Sequence, residues 1–336
     1  MTVTISKKIG NANVLLTLFI IALHTIGDDY QYRCVRWLVD FSVPTFFTIS
    51  SYLYFQKFEL SFSCFWKKLI SRFYSLYIPF IVFNALFIPY IFVKISILHI
   101  PNTREVSMDI TDLLGSIFFG YPTILNGPLW FIKALLLFVL LAPVIGYFLK
   151  KSKFFSIPLV LFGFILSFYT NYFQVLYWVP CYVLGCFFAL YEKDIIQVIE
   201  ETKRDAHHKL YIVVLFLLYA VISYSIIDDK PYDSFFYYCH RMIAPLWVIA
   251  IYSAYRILPN SMVQKLYPYT FFVYCTHTFF IYFSQHVLVL LIPELNIYII
   301  KLLVFVVSTI SVFLLAMVVS RIKPLWKVLN GFRTRK

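Results

Sequence analysis

A histidine closes the first strongly apolar stretch of the chain, residues 11–26, and its side chain is suited to catalysis. His24 falls where an apolar helix would meet the membrane surface, a costly place for a titratable group that has no function. Imidazole can take a proton from a hydroxyl group as that hydroxyl attacks a carbonyl. Asp40, near the start of the second apolar stretch, could orient this imidazole. The structural alternatives are a hydrogen-bonded helix-end histidine and an ordinary interfacial aspartate.

Other polar side chains lie inside or at the edge of later apolar stretches. Lys133, one turn into the fourth stretch, should face a cavity or a carboxylate unless its ammonium group reaches the nearby surface. Trp130, three residues before it, is typical of the tryptophan belt at a membrane interface. His277 falls near the predicted middle of the bilayer, where unpartnered burial is costly. We therefore favour a pore-lining role for His277 over that of a core histidine.

The composition indicates that these residues belong to a membrane protein. The 336 residues are 61% hydrophobic and 13% charged, whereas a soluble domain is typically about 45–50% apolar and about 25% charged. Lys7 and Lys8 precede the first apolar run, but no small-residue cleavage pattern follows it, which favours a retained helix over a signal peptide. The six cysteines show no metal-ligand spacing, so we expect neither a structural metal nor a disulfide framework.

Ten stretches are apolar enough to be membrane spans, given that roughly 20 residues of helix cross the hydrocarbon. The predicted spans are residues 12–26, 37–56, 73–93, 129–149, 154–170, 172–191, 210–227, 240–257, 268–292 and 297–320. Proline should kink or interrupt the third span at Pro79 and Pro89. The sequence therefore predicts an all-α polytopic membrane protein with about ten transmembrane helices.

The lysines and arginines predict the orientation of these spans. With a cytoplasmic N-terminus, the inner segments carry 21 of the 29 Lys and Arg residues and the outer segments carry six. Cytoplasmic loops of membrane proteins hold such an excess, so both termini are predicted to be cytoplasmic. The same bias explains the net charge of +13 without a nucleic-acid partner.

The connections between spans leave little room for another domain. The longest, residues 94–128, falls on the outer face and is a candidate lid, because loops of this length are uncommon unless functional or disordered. The next longest runs only from 192 to 209. We predict one transmembrane domain over residues 1–336, with a long extracytoplasmic loop at 94–128 and no appended soluble domain.

Five motifs resemble those of a known family. Residues 43–53, VPTFFTISSYL, are similar to the VPxFFxxSGYL signature of the membrane acyltransferase 3 family. Four further matches follow in the family's order: SRFYSLYIPFIVFN (71–84), NGPLWFIKALLLFVLLAPVI (126–145), YWVPCYVLGCFF (177–188) and YTFFVYCTHTFFIYF (269–283). By these matches the chain is identified as a member of that family.

The resemblance implies an enzyme that moves an acyl group, usually acetyl from cytoplasmic acetyl-CoA, to a hydroxyl of a surface carbohydrate or related acceptor. It maps the family's essential histidine onto His24, either as a base or as the carrier of a covalent acyl group. The partners it implies are acyl-CoA as donor substrate, a glycan acceptor and the bilayer of a bacterial plasma or inner membrane, with no bound cofactor. The predicted catalytic residues are His24 and Asp40, and the predicted substrate-binding or acyl-CoA-binding residues are Asn13, Lys67, Lys68, Arg72, Trp130, Lys133, Tyr274 and His277.

Two positions depart from the family pattern. Many members have an arginine eleven residues before the histidine, where this chain has Asn13. An Arg-x-x-Arg pair is common in the third-helix motif, where this chain keeps Arg72 and has Ser75 second. Since a charge-assisted contact contributes about 1.5–3 kcal/mol, we expect weaker binding of the phosphates of coenzyme A than in members that have both arginines. Lys67 and Lys68 at the predicted cytoplasmic mouth could serve together with Arg72.

Two other functions remain open from the sequence. A transporter or exporter of a small polar solute or lipid-linked sugar could use His24, His277 and Lys133 as a proton or substrate path. Inverted repeats would favour it, and none are detectable. A non-catalytic partner of another envelope enzyme is the third hypothesis, motivated by Asn13 and Ser75.

Overall fold

Every regular element in the described part of the chain is a helix. The computed structural model describes residues 3–26, 39, 41–93, 109–169, 175, 178–191, 210, 214, 217, 218, 221 and 260–333. The α-helices are α1 Val3–Ile26, α2 Ser42–Phe55, α3 Phe62–Arg72, α4 Ile78–Phe92, α5 Ile110–Phe119, α6 Trp130–Lys151, α7 Ser156–Tyr169, α8 Val179–Tyr191, α9 Asn260–Leu266, α10 Thr270–Leu291, α11 Ile297–Val319 and α12 Lys323–Leu329. The all-helical fold class is thereby confirmed for the described residues.

Three helical segments are long and apolar enough to cross a membrane, judged by length and composition over the described residues. They are Phe62–Phe92, Gly127–Lys151 and Ile297–Val319. Helices coincide with eight of the ten predicted spans. The other two, 210–227 and 240–257, lie almost wholly outside the described residues, so the count of ten and the cytoplasmic termini stay predictions.

Two elements differ from the sequence-based prediction. Helix α1 starts at Val3 and has 24 residues, where hydropathy predicted a start at residue 12, because a helix with lysines in its first turns can extend past the hydrocarbon. Helix α5 lies inside the predicted loop 94–128. Asp109 caps its start, since Oδ1 accepts hydrogen bonds from the N–H of Thr111 at 2.8 Å and from its hydroxyl at 2.5 Å.

Proline changes the helical hydrogen-bond pattern within Phe62–Phe92, but the segment stays helical throughout. Pro79 has no N–H to offer the carbonyl of Ser75 four residues earlier. The preceding residues, Phe73–Tyr77, form a π-helical turn, and the N–H of Ile78 donates to the carbonyl of Phe73. Pro89 lies inside α4, which continues to Phe92, so of the two outcomes predicted there, a kink or an interruption, the helix is not interrupted.

The chain divides into two compact units. The first unit comprises Met1–Phe65 with Leu141–Tyr267, and the second comprises Trp66–Leu140 with Pro268–Lys336. Helices α3 and α6 pass from one unit into the other. The single domain predicted from the sequence stays a prediction.

In the first unit, α2 and α8 are in close contact. Thr48 donates a side-chain hydrogen bond to the carbonyl of Cys181 at 3.1 Å, and Ser51 donates one to the carbonyl of Tyr182 at 2.5 Å. A Cβ on Gly185 would lie 2.2 Å from the backbone oxygen of Thr48. Glycine at this position therefore lets the two backbones approach, as small residues do between membrane helices.

In the second unit, α4 and α10 run parallel to each other. The ring centroids of Phe83 and Phe272 are 5.9 Å apart, and those of Phe87 and Phe279 are 4.8 Å apart, so the contacts advance along both helices together. The charge bias predicts this relative direction for the third and ninth spans. Helix α11 packs back against α10 after a short turn that ends at Asn296.

Candidate functional site

His24 occupies the last turn of α1 in the first unit, and its side chain is exposed. Ile20 and Ile21, one turn earlier, are buried. Thr25 is also buried, and its hydroxyl donates a hydrogen bond to the carbonyl of Ile21 at 2.8 Å. The last turn of the helix is thus anchored by its neighbours, while the His24 side chain itself is exposed.

Asp40, the predicted partner of His24, lies outside the described residues, so their pairing stays a prediction. The residues on either side of it, Val39 and Phe41, are buried. The ring of Phe41 meets that of Phe19 edge-on at 5.1 Å, about 7 Å along the α1 axis from His24 at 1.5 Å per residue. The start of the second span therefore packs beside the helix that carries the histidine.

Asn13 lies roughly 16 Å before His24 along the same helix. Its backbone carbonyl accepts a hydrogen bond from the hydroxyl of Thr17 at 2.7 Å. Its side-chain Oδ1 is buried and has no hydrogen-bond partner among the described residues. A buried amide oxygen of this kind is available to a ligand donor, which leaves the predicted binding role of Asn13 open.

A network of buried amides joins three elements of the second unit. Asn126 is fully buried, and its Nδ2 donates to the carbonyl of Cys275 at 2.8 Å. Its Oδ1 accepts from the hydroxyl of Thr278 at 3.3 Å, and its backbone N–H donates to Oδ1 of Asn84 at 3.2 Å. Neither asparagine was among the site residues predicted from the sequence. The signal that could have found them is a polar amide inside or beside an apolar span, which needs partners when it is buried.

His277 and Tyr274 lie together on α10, next to this network. His277 is fully buried, and its Nδ1–H donates to the carbonyl of Tyr274 at 2.7 Å. The Tyr274 hydroxyl donates to the carbonyl of Pro128. Its ring meets Phe131 edge-on at 5.7 Å, and Trp130 contacts the same Phe131 ring. The carbonyl of Tyr274 pairs one of the two ring nitrogens of His277, and the pore-lining role of this residue stays a prediction.

Lys133 has a backbone partner in the second unit. Its Nζ donates to the carbonyl of Gly120 at 3.0 Å. Gly120 ends α5 in the left-handed conformation, with φ of +62°. A cation is favourable at the C-terminal end of a helix, so Lys133 stabilises α5, whatever further role it has toward a substrate.

The chain matches the family model of acyltransferase 3, described as an acyltransferase domain, over residues 11–321. It belongs to the acyltransferase 3 family. No curated protein and no solved structure matches it. In this acyltransferase 3 protein the match includes both Asn13 and His24 and ends at residue 321, just before α12.

The basic residues predicted to bind coenzyme A in this acyltransferase 3 protein lie on α3. Lys67 is exposed, while Lys68 and Arg72 are partly buried. Ser75, at the family's second arginine position, lies in the π-helical turn that follows. Gly331 in the C-terminal turn approaches its backbone, because a Cβ there would lie 2.5 Å from the Ser75 oxygen.

Proposed function

We propose that this acyltransferase 3 family member moves an acetyl group from cytoplasmic acetyl-CoA to a hydroxyl group of a cell-surface carbohydrate. The observation that carries the proposal is the family match over residues 11–321, which contains His24 at the accessible end of α1. The protein would act as a multi-pass enzyme of a bacterial plasma or inner membrane, with ten spans and both termini in the cytoplasm.

In the proposed reaction His24 acts as general base. Its neutral imidazole accepts the proton of the acceptor hydroxyl while that oxygen bonds to the carbonyl carbon of the thioester. The carbon–sulfur bond then breaks, and the imidazolium returns the proton to the departing thiolate of coenzyme A. Hydrogen-bond donors around the developing oxyanion would stabilise the tetrahedral state. The accessibility of the His24 side chain supports this role, since a buried ring could not reach the acceptor.

Asp40 and the binding residues have secondary roles in the proposal. The carboxylate of Asp40 would hold the ring of His24 in orientation. Lys67, Lys68 and Arg72 would receive the phosphates of the donor at the cytoplasmic end. Tyr274, Trp130 and His277 would line the path of the substrate in the second unit.

Purified protein in lipid nanodiscs, supplied with radiolabelled acetyl-CoA and candidate glycans, tests the proposal. His24→Gln should lower label transfer by about 100-fold or more, the usual contribution of a general base. His286→Gln, on α10 and outside the proposed site, is the matched control and should transfer at the wild-type rate. Unchanged transfer by His24→Gln would contradict the mechanism, and no transfer by the wild type to any glycan would contradict the function itself.

A further inference from the structure

We propose that the C-terminal turn, residues 330–333, forms a phosphate-binding subsite in the second unit, with Arg333 as its principal cation. The proposal rests on the proposed function for the identity of the ligand, a phosphate group of the coenzyme A donor. The turn lies beyond residues 11–321, the extent of the family match.

Glycine brings the turn against the π-helical segment. Gly331 has φ of +63°, and a Cβ there would lie 2.5 Å from the backbone oxygen of Ser75 and 2.7 Å from Nη1 of Arg333. The guanidinium group and Ser75 are thus neighbours of the same glycine. The ring of Phe332 packs edge-on against Tyr74, 5.2 Å between centroids, so the turn is held at the start of α4.

Stacking orients the guanidinium group of Arg333. Its central carbon lies 3.6 Å from the centroid of the Phe271 ring, and Nη1 donates to the carbonyl of Asn330 at 3.2 Å. The residue nevertheless remains exposed. Arginine presents its N–H donors in a planar fork that matches the oxygens of a phosphate, and the stack fixes the plane of that fork before a ligand arrives.

Two residues around Gly331 each have a buried polar atom with no hydrogen-bond partner among the described residues. These atoms are Oδ1 of Asn330, a residue that is 4% exposed, and Oγ of Ser75. A buried group left in this state costs about 1–3 kcal/mol. The Ser75 hydroxyl can donate to a phosphate oxygen, and the Asn330 oxygen can accept from an N–H group. A phosphate of coenzyme A offers a partner to Ser75, and an N–H group of the adenine or pantetheine part would have to be the partner of Asn330.

The charge around the turn favours an anion. The described carboxylates of the second unit are Asp109 and Asp112 at the start of α5, which packs on the later part of α4, and Glu294 after the end of α10. The turn lies where α4 and α10 begin, at the opposite end. Basic side chains share that end with Arg333: Lys67, Lys68, Arg72, Lys323 and Lys327. Anionic lipid headgroups have the same phosphate chemistry as the donor, so an experiment must separate the two sources.

Calorimetric titration of coenzyme A into the full-length protein, held in nanodiscs of neutral phosphatidylcholine, tests the subsite. Arg333→Gln should weaken binding about tenfold or more, the equivalent of one lost charge-assisted contact. Arg333→Lys, which keeps the charge and loses the fork, should weaken it less. Lys301→Gln removes a cation of the same unit near the start of α11, at the end away from the turn, and should bind like the wild type. Equal affinity of Arg333→Gln and wild type would overturn the proposal.

Two further titrations distinguish an error in the ligand assignment from an error in the proposed function. Titration with inorganic pyrophosphate addresses the subsite without the acyl donor. If the wild type binds pyrophosphate but not coenzyme A, and Arg333→Gln loses pyrophosphate, the subsite stands and the donor in the proposed function is wrong. If Arg333→Gln differs from the wild type only in nanodiscs that contain phosphatidylglycerol, the ligand is a lipid headgroup and the assignment to coenzyme A is overturned. Equal melting temperatures of the variants exclude loss of fold as the cause.

Discussion

The side-chain amide of Asn126 donates a hydrogen bond to the backbone carbonyl of Cys275, 2.8 Å away. These residues come from two of the motifs shared with the family, residues 126–145 and 269–283. The hydrogen bond joins the segment that leads into α6 to the second turn of α10. Asn126, the first residue of the earlier motif, therefore has a structural role. Its hydrogen bond keeps Trp130 and Tyr274 in one region of the second unit.

Replacing Asn126 should destabilise the second unit. Asn126→Ala removes both side-chain hydrogen bonds of a fully buried residue, and we expect a loss of about 1–3 kcal/mol, since buried polar partners are left without bonds. The melting temperature of detergent-purified protein, followed by tryptophan fluorescence, measures the loss. Thr278→Val removes only the longer of the two bonds and should lower the melting temperature less. Equal melting temperatures of Asn126→Ala and the wild type would contradict this structural role.

Gly185→Ala should disrupt the contact between α2 and α8. The added methyl group would lie 2.2 Å from the backbone oxygen of Thr48, and backbone cannot move aside as a side chain can. Overpacking of this kind costs about 1–3 kcal/mol or more. Gly10→Ala is the graded control, because its methyl group would meet only the ring of Tyr267 at 3.1 Å. Detergent-solubilised yield and melting temperature should fall more for Gly185→Ala, and the reverse order would contradict the packing described for these helices.

The start of α5 should loosen in acid. The hydroxyl and the N–H of Thr111, which both donate to Asp109, hold the pKa of this carboxyl below its usual value. Because the pKa in the folded state lies below that of the unfolded chain, the ionised carboxylate stabilises the helix start at every pH above about 3.9. This stabilisation is lost as the pH falls through the lowered pKa.

Hydrogen exchange of the first amides of α5 measures this effect at neutral and acidic pH. Opening of the helix start, corrected for the intrinsic exchange rate, should increase in acid for the wild type. Asp109→Asn keeps a capping oxygen without the titration, and its opening should not depend on pH. Similar pH dependence in both proteins would show that Asp109 is not the group responsible.

Sequence patterns predicted most of the helices because apolar runs of membrane length report burial in lipid directly. They did not predict where α1 begins, since Val3 to Gly10 continues the helix with polar residues to which hydropathy is blind. They also missed α5 inside the loop 94–128. Its start is specified by the local hydrogen bonds from Thr111 to Asp109. A search for long apolar spans does not detect such a capping pattern.

The candidate site was predicted only in part, for a different physical reason. His24 could be predicted as a site residue because an apolar run and the point where it ends can be read from consecutive residues. The bonds of Asn126 to Asn84 and Cys275, and the approach of Gly331 to Ser75, join residues far apart in the chain. Such pairings depend on how helices pack, and neither spacing nor composition specifies them. The pairing of Asp40 with His24 falls outside the described residues and remains a prediction.

The most direct test of the central claim is the mass of surface glycans from cells that express the wild type, His24→Gln or His286→Gln. We predict that the wild type and His286→Gln add the mass of one acetyl group per modified sugar unit, and that His24→Gln adds none. An acetylated glycan in cells whose only copy of the protein is His24→Gln would contradict the assignment of His24 as the catalytic base.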